Sequence, residues 1–575
     1  MADKRSKDNE AGVAQRLEAA ALYTVVFICG AVLMSVEMVG ARVLNPFFGS
    51  AIFVWGSLIG VVMVALAAGY YIGGTLADKK PSFAFLLAII AGSGFFLLVL
   101  PSFAVGLCAE IDRLFPGPRG GPLVASILLF LVPGVLMAMV SPFAVKLSAR
   151  DLMSLGNVAG KLYALSTTGS IVGTLLTTFM LIPLIGTMQL IFVLGLTLVG
   201  LSAIGFAIIW RIKKITPIIA IALVLASGVT TLAAYPDGPG AEITQWYDRE
   251  RPHELIFWAD SAYHLILVTE QELYREIDTG KVRPRRVLRF NDRTQSAIYI
   301  DETVYDRETD TLKKFESAVG YTDLLHLGLI FRPDARRALF VGGGGGIGPT
   351  QFIRDYGMEA EVIEIDPMVE HIARKYFHID DRIVYHIGDG RREMKNLEGG
   401  YDVIVLDAYS SGGHIPAHLT TREFLELCRS KLAPGGVVVS NVISGLTTKT
   451  SEFYQSEYLT MMRAGFPNVY TFPRYPTPEE QRQRGTSIDD YWRGRSINII
   501  LVATQEEKRL SKPWILTKAR SLMRRKEHPV VIKGFDEHAD DLWESSRSSE
   551  DMLGEFEYAI ELTDDYCPVD VMFHE

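Results

Sequence analysis

The sequence is short of cysteine and, over its first 235 residues, short of charge. Its four cysteines, Cys29, Cys108, Cys428 and Cys567, stand at no paired spacing. That excludes a disulfide framework or a zinc ribbon and leaves the compartment open. Charged residues make up 21% of the 575, and mean hydropathy is +0.20, too apolar for a soluble enzyme of this length. Residues 1–235 hold 15 Lys and Arg against 9 Asp and Glu, whereas the remainder holds 42 against 57, a net of −15. An acidic second part argues against nucleic acid as a partner, because phosphate contacts need basic surface. His414 and His418 are four apart, but Pro416 between them disfavours a helix and no acid or cysteine completes a ligand set. No metal is expected.

What is present first is apolar sequence. After a polar tail at 1–18 come seven apolar segments, at about 20–40, 53–77, 82–107, 123–146, 161–184, 187–210 and 215–235. Each is near the ~20 residues that span a bilayer. No small-residue cleavage site follows the first, which reads as an anchored helix and not a removed signal peptide. Residues 19–235 are therefore expected to form a transmembrane domain of about seven helices, with the lipid bilayer as a partner. Gly69-x-x-x-Gly73 and Gly169-x-x-x-Gly173 allow close helix approach. Lys4, Arg5, Lys7 and Arg16 in the tail, with basic alternate connections, favour a cytoplasmic N-terminus. Seven crossings would then put the rest of the chain outside, where adenosyl donors are not expected, so the side stays open.

A Pro/Gly stretch, Pro236–Gly240, leads out of the apolar region. Residues 253–305 alternate in short runs, Glu254–Trp258, Tyr263–Thr269, Val287–Asn291 and Ala297–Ile300, which predict β-hairpin structure. From Arg336 to Ser411 four apolar runs each end in glycines or acids. The first closes on Gly342, Gly343, Gly344, Gly345 and Gly346; the second on Glu364-Ile-Asp366; the third on Gly388-Asp389-Gly390; the fourth on Asp407. Strands alternating with helical segments imply a parallel sheet covered on both faces. Ligands of such sheets lie at the carboxyl ends of the strands, where these residues fall. The glycines allow a tight turn and close backbone approach to a ligand. Glu364, about 20 residues on, suits the two ribose hydroxyls. Asp389 is suited to an adenine amino group.

These motifs resemble the spermidine synthases (polyamine aminopropyltransferases), a branch of the methyltransferase-like Rossmann fold. That family reads Gly-Gly-Gly-Asp-Gly-Gly, Glu-Ile-Asp, Gly-Asp-Ala and Asp-Ser-Ser-Asp-Pro after its successive strands. This chain keeps Glu364-Ile-Asp366, Gly388-Asp389-Gly390 and Asp407, but has Gly345 and Ser410 where two family aspartates belong. Val36-Glu37, Arg42–Pro46, Ala68–Gly74, Leu162–Gly169 and Leu562–Asp570 also resemble membrane-fused members of the family. The resemblance implies a multi-pass α-helical membrane bundle, then a small β-domain (241–325), a Rossmann-like methyltransferase-type catalytic domain (332–505) and a C-terminal extension (506–575). It implies a cell-membrane protein binding decarboxylated S-adenosylmethionine, or S-adenosylmethionine, through Gly342, Gly343, Gly344, Gly346, Glu364, Asp366, Asp389 and Gly390.

By the same resemblance Asp407 is the catalytic base, and Tyr263, Gln295, Tyr321, Asp323 and Tyr409 face an amine substrate. With Gly345 and Ser410 uncharged, Asp564 and Asp565 of the tail are candidates for the missing counter-charge, since a buried ammonium needs one. A homodimer is an open arrangement. Three functions stay open: aminopropyl transfer to a polyamine or other amine, methyl or other group transfer from S-adenosylmethionine, and a membrane transporter or sensor with a nucleoside-binding domain.

Overall fold

The computed structural model of the chain describes residues 2–48, 52–115, 120–148, 155–213, 253–261, 263–276, 280–291, 293–409, 415–446, 449–474, 496–543 and 549–572. The chain divides into two compact units, Met1–Pro252 with Asp260–Ala262, and His253–Ala259 with Tyr263–Glu575.

In the first unit five helices are long and apolar enough to cross a bilayer: Ala19–Asn45, Phe53–Lys79, Gly120–Ser148, Leu155–Leu181 and Thr187–Ile209. The pair Phe83–Val99 and Pro101–Leu114, bent by 64°, makes a sixth if it crosses as one. Pro101 opens the second half of that pair, the position where a missing N–H costs least. Against the seven spans expected, the described residues hold five or six, and the segment at 215–235 lies outside them. An even count returns the chain to the side on which it began; an odd count does not. Both glycine pairs pack as their spacing predicts. Gly69 and Gly73 abut Ala138 and Met139, while Gly169 and Gly173 lie against the backbone of Phe27 and Ala31, with no room for a Cβ. Alongside, the Thr177 hydroxyl bonds that of Ser35 at 2.8 Å, satisfying both inside the bundle. Glu37 is buried there and Lys161 is exposed.

The second unit opens with a four-stranded sheet in the order β1–β2–β3–β4: β1 (Glu254–Asp260), β2 (Leu265–Arg275), β3 (Val282–Phe290) and β4 (Arg293–Tyr299). Strand β3 starts five residues ahead of the alternation that marks it, because Val282-Arg-Pro-Arg-Arg286 reads as a charged turn. Its arginines have partners: Arg283 meets Asp301 at 2.5 Å and Glu316 at 2.8 Å, and Arg286 meets Glu270 at 2.7 Å. A two-residue ladder, β5 (Tyr305–Asp306) with β6 (Thr311–Leu312), follows. A 3-10 turn, Thr322–Leu327, comes next, continued by a short helix, Gly328–Phe331.

Seven strands then build the main sheet: β7 (Arg337–Val341), β8 (Glu359–Glu364), β9 (Val384–Ile387), β10 (Tyr401–Leu406), β11 (Leu432–Ser444), β12 (Asn468–Pro473) and β13 (Ile497–Thr504). Their order is β12–β13–β11–β10–β7–β8–β9. The five from β11 to β9 are parallel, and β13 runs antiparallel to both β11 and β12. Successive residues enter opposite cores. Ala338, Phe340, Val403 and Val405 face one, and Leu339, Val341, Ile404 and Leu406 the other. Covering both faces is what makes each strand an unbroken apolar run. The extension joins these cores, with Val530, Ile532 and Phe535 in the first and Leu562 and Val569 in the second. Order reverses between β7 and β10, which opens a crevice at their carboxyl ends.

Replacing Gly173 by Leu in the first unit should drive its helix from the helix at Ala31. Overpacking of this kind costs about 1–3 kcal/mol or more. We expect a lower midpoint of thermal aggregation in detergent; an unchanged midpoint would mean the two helices are not packed this closely.

Candidate active site

The crevice is shaped first by backbone. β7 ends at Val341, and the Gly342 amide donates to Ile363 O at 2.9 Å. Gly342 has φ +99°, and a Cβ there would strike the carbonyl of Asp407. Only glycine can hold the β7 turn this close to the end of β10. Gly343 N donates to Glu364 Oε2 at 2.8 Å, and Gly345 N donates to Ser296 Oγ at 2.8 Å. Gly346, at φ +66°, opens the helix Ile347–Tyr356.

The acids of the next two strand ends have distinct surroundings. Glu364 is buried, and its Oε1 accepts from Asp366 N at 3.0 Å. Burial pushes its carboxyl above the ordinary value despite these amide donors. A carboxylate has about four acceptor positions, so with these backbone amides in place Glu364 still has capacity to accept from a hydroxyl. Asp366 instead caps the helix Pro367–Phe377 through Met368 N at 2.9 Å. Asp389 caps the helix Gly390–Asn396 through Arg392 N at 2.9 Å, and its other oxygen meets His418 Nε2 at 2.7 Å. Burial works to raise the Asp389 carboxyl, but the Arg392 amide and His418 outweigh it and hold it below the usual range.

Asp407, directly after β10, is the centre of a polar cluster. Its Oδ1 accepts from Asn441 Nδ2 at 2.8 Å and its Oδ2 from the Tyr321 hydroxyl at 3.1 Å. The Tyr321 hydroxyl also lies 3.3 Å from the Gln295 carbonyl oxygen. Tyr409 donates to Asn441 O at 2.8 Å and accepts from Ile443 N at 2.9 Å. Although part of the Asp407 surface stays open, burial pushes its carboxyl up to about 6, against the lowering effect of Asn441 and Tyr321. Among the described residues no Lys, Arg or His bonds it. A carboxyl of this kind is poised to exchange a proton near neutral pH.

Comparison with known proteins gives this cluster a context. Residues 318–478 match the family model for the spermine/spermidine synthase domain. Over 225 residues the chain is 33% identical to a polyamine aminopropyltransferase of Vibrio vulnificus, covering 38% of this chain and 70% of that one. The chain belongs to the spermine/spermidine synthase family. It is also 31% identical over 222 residues to a spermidine synthase of Coffea arabica, covering 37% of this chain and 65% of that one. A solved probable spermidine synthase from Corynebacterium glutamicum aligns at 20% identity with a TM-score of 0.34, covering 50% of this chain and 94% of that one.

Within the spermidine synthase pattern, the first missing aspartate now has a steric cause. A Cβ at Gly345 would lie 2.7 Å from Ser296 Cβ, so β4 closes the space an aspartate would use. Ser410 and His414 lie outside the described residues, as does the polar stretch 475–495. Of the residues expected to face an amine, Tyr321, Tyr409 and the backbone of Gln295 gather around Asp407. Tyr263 is exposed, with its ring 6.5 Å from that of His264. Asp323, two residues beyond Tyr321 on the 3-10 turn, lines a cavity of about 430 Å³ with Tyr299, Phe315, Arg354 and Lys533. The tail does fold back, with Arg422 N bonding Leu562 O at 2.8 Å. Asp564, however, is gripped by Arg391 at 2.6 and 2.7 Å, and Asp565 is exposed. Among the described residues no group of three or more His, Cys, Asp or Glu is gathered to hold a metal ion.

Ser296, Asn441 and Asn498 carry no motif, and His418 stood out only for its spacing from His414, not as a partner of Asp389. Asn441 did carry a signal, being a polar residue at the end of the apolar run Val437–Val439. Gly342→Ala should both strain φ and push Asp407 outward, since a left-handed conformation alone costs a non-glycine residue about 1–2 kcal/mol. The expected result is a lower unfolding temperature together with weakened binding of a thioether nucleoside; wild-type values for both would contradict the contact.

Proposed function

We propose that the chain transfers an aminopropyl group from decarboxylated S-adenosylmethionine to a polyamine or other amine. The observation that carries this reading is the half-open carboxylate of Asp407, hydrogen-bonded by Tyr321 and Asn441, beside the Gly342–Gly346 turn and Glu364. Glu364 takes the ribose hydroxyls, the glycine turn lets the donor approach the backbone, and Asp389, with Gly390 behind it, faces the nucleobase. The adenosyl donor supplies an electrophilic carbon next to its sulfonium. As the amine nitrogen forms its bond to that carbon, the carbon–sulfur bond breaks and its electron pair goes to sulfur, giving a neutral thioether. Little leaving-group help is needed. The protein must take a proton from the ammonium, align the nitrogen in line and limit water. Asp407 accepts that proton, and Tyr321 and Tyr409 border the amine. The helices long and apolar enough to cross a bilayer support reading the chain as a membrane-associated member of the family.

A second reading is favoured by one observation, the loss of the aspartate at Gly345. Without that charge nothing at this position repels the carboxylate of intact S-adenosylmethionine, which keeps methyl or other group transfer in view.

Asp407 must be ionised to act. Because its carboxyl is raised to about 6, activity is expected to be full above that value and to fall as pH drops through it. Asp407→Asn should keep nucleoside affinity while lowering turnover by roughly two to four orders of magnitude. Glu364→Ala should do the reverse first, abolishing calorimetric binding of a thioether nucleoside through loss of a buried bidentate partner. Near-normal turnover in the first variant removes Asp407 from the chemistry; unchanged affinity in the second removes the ribose contact.

A further inference from the structure

Behind Asp407 lies a second asparagine that the family motifs do not include. Asn441 on β11 and Asn498 on β13 are diagonal neighbours on one face, since Asn441 pairs with Ile500 and Ile443 with Asn498. Asn441 is 1% exposed. Its Nδ2 donates to Asp407 Oδ1 at 2.8 Å, and its Oδ1 accepts from Asn498 Nδ2 at 3.0 Å.

The direction of both bonds follows from chemistry. An ionised carboxylate only accepts, so Asn441 must turn its NH2 toward Asp407. Its carbonyl then points at Asn498, which must answer with its own NH2. Were Asn441 flipped, its carbonyl oxygen would face the carboxylate, which is repulsive, whereas a protonated Asp407 could donate to it. Asn441 orientation therefore decides which form of Asp407 is favoured, and Asn498 decides the orientation. The other groups facing Asp407 are the Tyr321 hydroxyl, from the start of the 3-10 turn, and Tyr409, held on the Asn441 carbonyl and the Ile443 amide. Glu457, on the helix Glu452–Arg463, is the further acidic group near Tyr409.

We propose that Asn498 is a positioning residue for the transfer: it locks Asn441 in the one amide orientation that donates to Asp407, keeping that carboxylate ionised and its open side free for the entering amine. This rests on the reading of Asp407 as proton acceptor. Asn498 touches neither substrate nor the reacting atoms and acts through Asn441 alone.

The test compares Asn498→Asp, Asn498→Ala and Asn498→Ser in the full chain. Asn498→Asp keeps the shape but presents an acceptor to Asn441, so it should favour the flip most. Asn498→Ala leaves the flip free, and Asn498→Ser retains a donor and should restore part of the effect. The acid limb of the kcat/KM profile should move to higher pH in the order Ser, Ala, Asp, with KM for the donor unchanged. Below the midpoint, activity should fall roughly tenfold for each pH unit of that movement.

The ionisation of Asp407 is also read without turnover, by pH-difference infrared spectroscopy of protein labelled with 13C-aspartate, using Asp407→Asn as the blank. A shifted carboxyl midpoint supports the relay even if no donor is consumed. An unmoved midpoint in both Asn498→Ala and Asn498→Asp overturns it, whatever the activity. Loss of kcat with an unmoved midpoint would mark Asn498 as a packing residue only.

Discussion

Everything at the strand ends depends on how closely Gly342 approaches the backbone of Asp407. Two parallel strands, β7 and β10, lie side by side where the sheet order reverses, and each must turn away from the other's end. Glycine at φ +99° lets the β7 turn pass against the Asp407 carbonyl. That contact sets the glycine loop, which brings Gly343 N onto Glu364. It also sets the direction in which the Asp407 side chain leaves β10, toward Tyr321 and Asn441. The glycine turn and the Asp407 carboxylate, the two parts on which the proposed transfer rests, are thereby placed by a single close approach, with no side chain intervening.

The four acids along the strand ends share one architectural position but have different chemistry. Asp366 is spent on capping a helix, Asp389 is held low by an amide and by His418, Glu364 is raised by burial between two amide donors, and Asp407 is raised to about 6. Environment alone gives four carboxyls at one architectural position different proton affinities, and the proposed transfer assigns the moving proton to Asp407.

Much of this was legible in the chain because it depends on period and punctuation. Apolar runs closed by glycines or acids located β7, β8, β9 and β10, and the glycine pairs of the bundle found their partners. What could not be read depends on pairing across long sequence distances. The start of β3 was hidden because Arg283 and Arg286 look like a solvated turn until Asp301, Glu316 and Glu270 are placed beside them. Asp323 shares a motif with Tyr321, yet the tight 3-10 turn rotates it away into a separate cavity. Asp564 was proposed as counter-charge for an amine, but Arg391, 173 residues earlier, takes both its oxygens. The loss of an aspartate at Gly345 makes sense only once Ser296 is seen closing on that position.

The central claim is that Asp407 and the nucleoside loop serve one group transfer whose donor is decarboxylated S-adenosylmethionine. The most direct measurement incubates purified full-length protein and its Asp407→Asn variant with an amine and, separately, decarboxylated or intact donor, and follows release of the thioether nucleoside. The account predicts thioether from the decarboxylated donor with the native protein and almost none with the variant. Consumption of only the intact donor, or binding of either donor without turnover, would contradict it.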